Sequence, residues 1–259
     1  MEIITSLQNN KIKELNKLKE KKYRDETNLF LIEGDHLVDE AYRTNQLVEV
    51  LATTSFQEEL DIPITFISED VMKKLSSMAS PSNVIGVCKK FKPIGYGKRI
   101  LILDNLQDPG NLGTIIRSAS SFNFDTIVLS EVSVDLYNDK VIRASEGMIF
   151  HTNVIRCNII EFIKELKQNN YKIFTTDVNG GEIVSEVDFQ EKTAIIIGSE
   201  GAGVGSVREL ADNSIYIPMN KKCESLNASV AASIIMYEVS KRDYEWLCFN
   251  WKNSKYSRN

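Results

Sequence analysis

At three places in the chain, polar side chains capable of chemistry follow directly on an apolar run: 103–119, 193–207 and 217–234. The first, LDNLQDPGNLGTIIRSA, carries Asn111 and Arg117, a neutral amide and a guanidinium that is charged at any accessible pH. The second, TAIIIGSEGAGVGSV, sets Gly198, Gly201, Gly203 and Gly205 around Glu200. The third, IPMNKKCESLNASVAASI, holds Ser225, Leu226 and Asn227. These groups can orient and polarise an oxygen, but no conventional base with a suitable pKa accompanies them. Each also has a plain reading. Asn111 and Ser225 sit where helix N-caps are expected, and a helical projection puts Leu112, Ile115, Ala119 and Phe122 on one face with Arg117 on the solvent side. A turn accounts for one or two glycines and less naturally for four. The glycines do not form a dinucleotide fingerprint, because Arg208 stands where the third glycine would fall, and no Lys-Ser or Lys-Thr completes a phosphate loop.

The elements that must position these groups are legible from periodicity. From Ile100 onward, continuous apolar runs (RILILD, TIVLS, NVIRC, YKIFTTD, TAIIIG, SIYIPM) alternate with helix-period segments, which predicts an α/β domain with a parallel sheet covered on both faces. Ligands in such sheets bind at the carboxyl ends of strands, where all three polar segments lie. A helical patch around 138–146 falls within this series, and a closing helix from about Ser225 carries Val230, Ile234 and Tyr237 at helical spacing. Residues 29–92 form a second, smaller α/β pattern, LFLIEG, DHLVDEAYRTN, LVEVLAT, ITFIS, EDVMKKLSSM and NVIGVCKKF. The stretch KKFKPIGYGKR has the proline, glycines and lysines of a linker and predicts a boundary near 95, hence domains over 1–95 and 96–259.

Composition narrows the class. Of 259 residues, 42% are hydrophobic and 26% charged, which excludes general disorder. No apolar run reaches the roughly 20 residues of a membrane helix, and the first residues lack a signal-peptide core, so a cytoplasmic location is expected. Cys88, Cys157, Cys223 and Cys248 are too widely spaced for a zinc site or a disulfide scaffold, and neither His36 nor His151 has neighbours at ligand spacing, so no metal is expected. The net charge of −5 argues against a polycationic nucleic-acid coat. Between Lys11 and Arg24, however, seven basic residues stand against Glu14 and Glu20, a local net of +5. That run reads either as the solvated face of a lysine-rich helix or as an RNA-phosphate contact.

Taken together and in this order, the three segments resemble the motifs of the SpoU or TrmH family of RNA ribose methyltransferases, within the SPOUT class. The first motif is Asp108-Pro109-Gly110-Asn111-Leu112-Gly113 with Arg117, the second Gly198-Ser199-Glu200-Gly201, and the third Ile217-Pro218-Met219 with Ser225-Leu226-Asn227. The resemblance covers about residues 100–240, and FLIEGDHLVDEA resembles the family's L30e-like substrate-binding domain. It implies a SPOUT domain with a deep trefoil knot that houses S-adenosylmethionine, and a homodimer that methylates the 2′-hydroxyl of structured RNA. The resemblance assigns cofactor contacts to Gly198, Ile217 and Leu226, and catalytic or positioning roles to Asn111, Arg117, Glu200, Ser225 and Asn227. Cys223 lies beside these residues and reads as a small filler without a nucleophilic role.

Ribosomal RNA is the expected target because of the separate N-terminal domain, with transfer RNA as the alternative. A non-catalytic RNA-binding protein of the same fold is disfavoured by the intact Asn111, Arg117, Ser225 and Asn227. A knotted base methyltransferase fits these residues less well, and a nicotinamide dehydrogenase lacks its glycine fingerprint.

Overall fold

The computed structural model describes residues 2–58, 60–178, 180–198 and 205–241. The chain divides into two compact units, one formed by Met1–Pro93 with Asp135–His151 and the other by Ile94–Val134 with the residues from Thr152 onward.

In the first unit, α1 (Asn10–Lys17) starts at Asn9, whose side chain accepts from the Lys11 amide, and it buries Ile12 and Leu15. These pack with Leu51, Ile67, Val71, Met72 and Leu75 in one apolar cluster. The short α2 (Lys21–Thr27) ends at Asn28 in the left-handed region, φ 56°. The sheet combines β1 (Ile3–Ile4), β2 (Leu29–Glu33), β3 (Leu47–Ala52), β4 (Ile64–Ile67) and β5 (Val84–Lys89) in the order β1-β4-β3-β5-β2. The β1–β4 and β3–β4 pairs are parallel, while β5 runs antiparallel to β2 and β3. The strand β1 was not visible in the sequence pattern. The helices α3 (Asp35–Arg43) and α4 (Glu69–Leu75) fall on the expected segments.

Asp135–His151, with α6 (Asp139–Ala144), packs with this unit although its place in the chain lies inside the second series. The reason is chemical. Arg24 is 6% exposed and donates to Asp135 at 2.6 Å, and Phe30 stacks within a ring cluster of Phe91, Tyr137 and Phe150. Burial pushes the Tyr137 phenol up to about 12. His151 pairs with Glu40 on α3 at 2.6 Å, and His36 meets the Glu146 carbonyl at 3.2 Å.

The second unit is a seven-stranded sheet, β10-β12-β9-β11-β6-β7-β8, in which every pair is parallel. Its strands are β6 (Arg99–Leu103), β7 (Thr126–Ser130), β8 (Asn153–Cys157), β9 (Lys172–Thr176), β10 (Glu182–Ile183), β11 (Thr193–Ile197) and β12 (Asn213–Tyr216). The strand order reverses beside β6, with β7 and β8 on one side and β11, β9 and β12 on the other. The α/β fold with a parallel sheet is therefore as expected. The helix α5 (Pro109–Ser121) buries Leu112, Ile115, Ile116 and Ala119 completely, the leucine and each isoleucine contributing about 1.5–3 kcal/mol. The helix α7 (Ile159–Gln168) covers Ile100, Ile102, Ile173 and Ile196 with Phe162, Ile163 and Leu166. A final helix, α8, spans 228–241 within the described residues and buries Ala232, Ile235, Met236 and Val239. Val230 (47%) and Tyr237 (45%) of the expected apolar stripe point outward instead. None of the described helices is long and apolar enough to cross a membrane.

Candidate active site

The carboxyl ends of β6 and β11 lie side by side, joined by the Asp104 amide donating to the Ile197 carbonyl at 2.9 Å. The loop after β6 is held in shape by the end of β7 and the turn beyond it: Ser130 accepts from the Asn105 amide, Ser133 accepts from the Leu106 amide, and the two hydroxyls meet at 2.8 Å. Asn105 takes the left-handed conformation there, φ 56°.

The cap of α5 differs from the sequence expectation. Asp108, followed by Pro109 in the first turn, is the N-cap and accepts from the Asn111 amide at 2.7 Å. Asn111 is thereby inside the first turn and buried (7% exposed). An Asp-Pro pair ahead of a helix was the signal that could have revealed this. Arg117 lies about two turns further on and is exposed, as projected, and its guanidinium has no partner among the described residues.

A second cap also moved. Asn227, and not Ser225, opens α8: its Oδ1 accepts from the amides of Ser229 (2.9 Å) and Val230 (3.3 Å). Its Nδ2 donates to Asn111 Oδ1 at 2.9 Å, so the first and third motifs meet through two side-chain amides. Sequence reading missed the hydroxyls that support this pair. Ser229 donates to Asn227 Oδ1 at 2.7 Å, Ser233 donates to the Ser229 carbonyl at 2.7 Å, and Ser118 on α5 meets Ser233 at 2.8 Å. Hydroxyls one turn apart on two helices carry no distinctive periodicity, so nothing in the sequence marked them.

Ser225 is exposed, and Leu226 is half-buried in the irregular chain between β12 and α8. Gly198 directly follows β11, Ile217 directly follows β12, and both are half-buried. Glu200, with Ser199 and Gly201, lies outside the described residues.

Residues 98–237 match the SpoU rRNA Methylase family. The chain belongs to that family. Residues 9–86 match the MRM3-like substrate binding domain. The SpoU chain is similar to the 23S rRNA (guanosine(2553)-2′-O)-methyltransferase RlmP of Bacillus subtilis (strain 168), with 37% identity over 92% of this chain and 99% of that protein. Among solved structures it is similar to the AdoMet-bound rRNA methyltransferase from Sinorhizobium meliloti, with a TM-score of 0.83 and 26% identity, covering 93% of this chain and 98% of that one. A crystal structure of an RNA 2′-O ribose methyltransferase gives a TM-score of 0.80 at 29% identity, covering 94% and 100%.

The lysine-rich segment of this SpoU chain is more occupied than its charge count suggests. Lys11 pairs with Glu49, Lys17 with Glu14 (2.7 Å) and Lys21 with Asp25 (2.8 Å). Lys22 faces Glu26 at 3.9 Å, and Lys19 donates to the carbonyls of Lys74 and Ser76. Arg24 is buried, and of the seven cations only Lys13 has no partner among the described residues. Most of these cations therefore already have partners, while the side chains of Lys17, Lys21 and Lys22 remain exposed.

Proposed function

We propose that the chain transfers a methyl group from S-adenosylmethionine to a ribose 2′-hydroxyl of structured RNA, with ribosomal RNA as the target class. The observation that carries this reading is the Asn111–Asn227 amide pair at the carboxyl end of the sheet, on the helix that also presents an exposed Arg117 with no partner among the described residues. Near-full-length similarity to a 23S rRNA 2′-O-methyltransferase supports it.

The residues fit the methyl donor. S-adenosylmethionine bears a sulfonium and an adenine and no phosphate, and Gly198, Ile217 and Leu226 are uncharged, half-buried positions beside strand ends, suited to a wall of backbone and aliphatic groups. When bound, the molecule supplies a methyl carbon already activated by its sulfur leaving group. The chain must then orient the ribose oxygen, accept the loss of its proton and hold the reactants in line. Arg117 stays protonated and does not act as a base. Its planar fork grips an RNA phosphate and stabilises negative charge on the attacking oxygen, while the proton passes to solvent. Asn111, Asn227 and Ser225 orient the ribose or the donor's edge, and Glu200 braces the loops through charge-assisted bonds.

The first unit supplies RNA affinity. Its exposed ion pairs are weak in water, so Lys17, Lys21 and Lys22 can exchange a carboxylate for an RNA phosphate, and binding weakens with salt. The SpoU unit adopts the family's trefoil knot, and two copies associate through α8, whose Val230 and Tyr237 are exposed apolar groups at helical spacing. The same reading assigns the enzyme to the cytoplasm.

Labelled methyl transfer from S-adenosylmethionine to rRNA and to tRNA, followed by nuclease mapping of the product, tests the reading. A 2′-O-methylated nucleotide in rRNA is expected. Transfer only to tRNA would correct the target, methylation of a base would correct the chemistry, and no transfer to either RNA would refute the function.

A further inference from the structure

In the turn that ends β7, residues 130–134, every carbonyl is held by a side chain. Arg156 on the edge strand β8 lies in register with Leu129, so its guanidinium reaches just past the end of β7. Its Nη1 shares its hydrogens among the carbonyls of Ser130 (2.9 Å), Glu131 (3.2 Å) and Ser133 (2.8 Å), and its Nη2 donates to that of Val134 (2.5 Å). Gln107, in the loop after β6, donates to the remaining carbonyl, that of Val132, at 2.9 Å. Carbonyl oxygens gathered this closely repel one another, and a guanidinium, with its charge and planar fan of N–H donors, is the side chain suited to holding them together.

The turn in turn holds the loop after β6. The amides of Asn105 and Leu106 donate to the hydroxyls of Ser130 and Ser133, whichever of those hydroxyls donates to the other, and the Val134 amide donates to the Leu106 carbonyl at 2.8 Å. That loop needs external support, because Asn105 sits at φ 56°, a conformation that persists where the surroundings fix it. It runs straight into Asp108, the cap of α5, and the first turn that bears Asn111. The core anchors the body of α5 through Leu112 and Ile115, and the loop sets where its first turn begins. We propose that Arg156 is a positioning residue for the ribose methylation inferred above. It acts through the turn and not on the substrate: Arg156 fixes residues 130–134, these fix Asn105 and Leu106, and the loop fixes the start of α5 at the carboxyl end of the sheet. An in-line displacement is sensitive to such placement, since a drift of about 1 Å in an aligned group costs on the order of a hundredfold in rate.

Variants of the full chain separate this role from a purely structural one. Arg156→Met keeps an unbranched side chain and loses the donors. It is expected to lower kcat by about ten- to a hundredfold, with KM for S-adenosylmethionine unchanged, because Gly198 and Ile217 follow other strands. Arg156→Lys, a cation that reaches fewer of the carbonyls, is expected to fall between Arg156→Met and the wild type. Ser133→Ala breaks the same connection more gently, serves where Arg156→Met does not fold, and is expected to lower kcat several-fold. In the double variant the two losses are expected not to add, since both act through one turn. The amide resonances of Asn105 and Leu106, read on ¹⁵N-labelled chain without RNA or cofactor, are expected to move in Arg156→Met. Wild-type kcat in Arg156→Met below its melting temperature, unmoved Asn105 and Leu106 resonances, additive losses in the double variant, or a loss of cofactor affinity equal to the loss of kcat would each overturn the proposal. If Arg156→Met does not fold, wild-type kcat in Ser133→Ala overturns it. A wild-type chain that methylates no RNA overturns the functional reading and the catalytic half of the proposal with it. An active wild type with a normal Arg156→Met variant overturns the proposal alone.

Discussion

Removing the Asp135 carboxylate should strongly destabilise the first unit, although Asp135 lies more than a hundred residues from the start of that unit. Arg24 Nη1 donates to the carbonyls of Leu18 and Lys19 at 2.8 Å each, Nη2 donates to Asp135 at 2.6 Å, and the buried Nε has no partner among the described residues. The two side chains are 7% and 16% exposed, so neither can recover full hydration in place. Asp135→Ala leaves a buried cation with two neutral acceptors, and losing one partner of such a pair costs about 3–5 kcal/mol. A domain stabilised by about 5–15 kcal/mol loses a large share of its margin. Asp135→Asn retains an acceptor without the charge and should cost about 2 kcal/mol. Replacing both groups, Arg24→Met with Asp135→Leu, removes the desolvation penalty along with the attraction and should be nearly neutral. Because the chain has two units, a single melting curve would mix them, and hydrogen exchange resolved to β2 and β5 is the appropriate assay. A cost below about 1 kcal/mol for Asp135→Ala, or a double variant as unstable as the single one, would refute the reasoning. So would a fragment of residues 2–95 that folds as stably as the whole unit.

Other outcomes follow from the site and surface. Arg117→Ala should leave stability within about 0.5 kcal/mol and reduce methyl transfer about a hundredfold or more; Arg117→Lys, which keeps the charge but loses the planar fork, should be nearly as inactive, and normal turnover in either would exclude the proposed role. Tyr237→Glu on the exposed face of α8 should convert a dimer to a monomer in sedimentation at micromolar concentration, and an unchanged dimer would place the interface elsewhere. Two carboxyls predict acid sensitivity of the first unit: hydrogen bonds from Lys21 and Lys90 hold Asp25, and one from His151 holds Glu40, below their ordinary values of 3.8 and 4.5. A lowered carboxyl stabilises the fold above its ordinary value and loses that contribution as pH falls through the depressed one, so stability should be level at neutral pH and decline below about 4.5. Asp25→Asn should flatten that decline, and an identical acid profile would show that this group does not contribute.

Most elements of both units, the parallel sheet and the three motif segments were readable because each depends on local order: apolar period, glycine and proline punctuation, and the residue types at strand ends; the two-residue strands β1 and β10 are too short to show a period. Arg117 on the exposed side of α5 followed from the same periodicity. What the pattern could not decide was which of several competent groups would perform a local task. Asp108 capped α5 in place of Asn111, and Asn227 capped α8 in place of Ser225, because a cap is chosen by where the first helical turn closes, and that depends on packing against the sheet. Two consequences were tertiary. Freed from capping, Asn111 could meet an asparagine far along the chain, and Asp135–His151 left the series in which it is encoded because Arg24 and Phe30 need partners within their own unit. Burial decides such pairings. A charge count over Lys11–Arg24 records seven cations, and only the folded chain shows that one is buried and five are already paired or bonded to carbonyls.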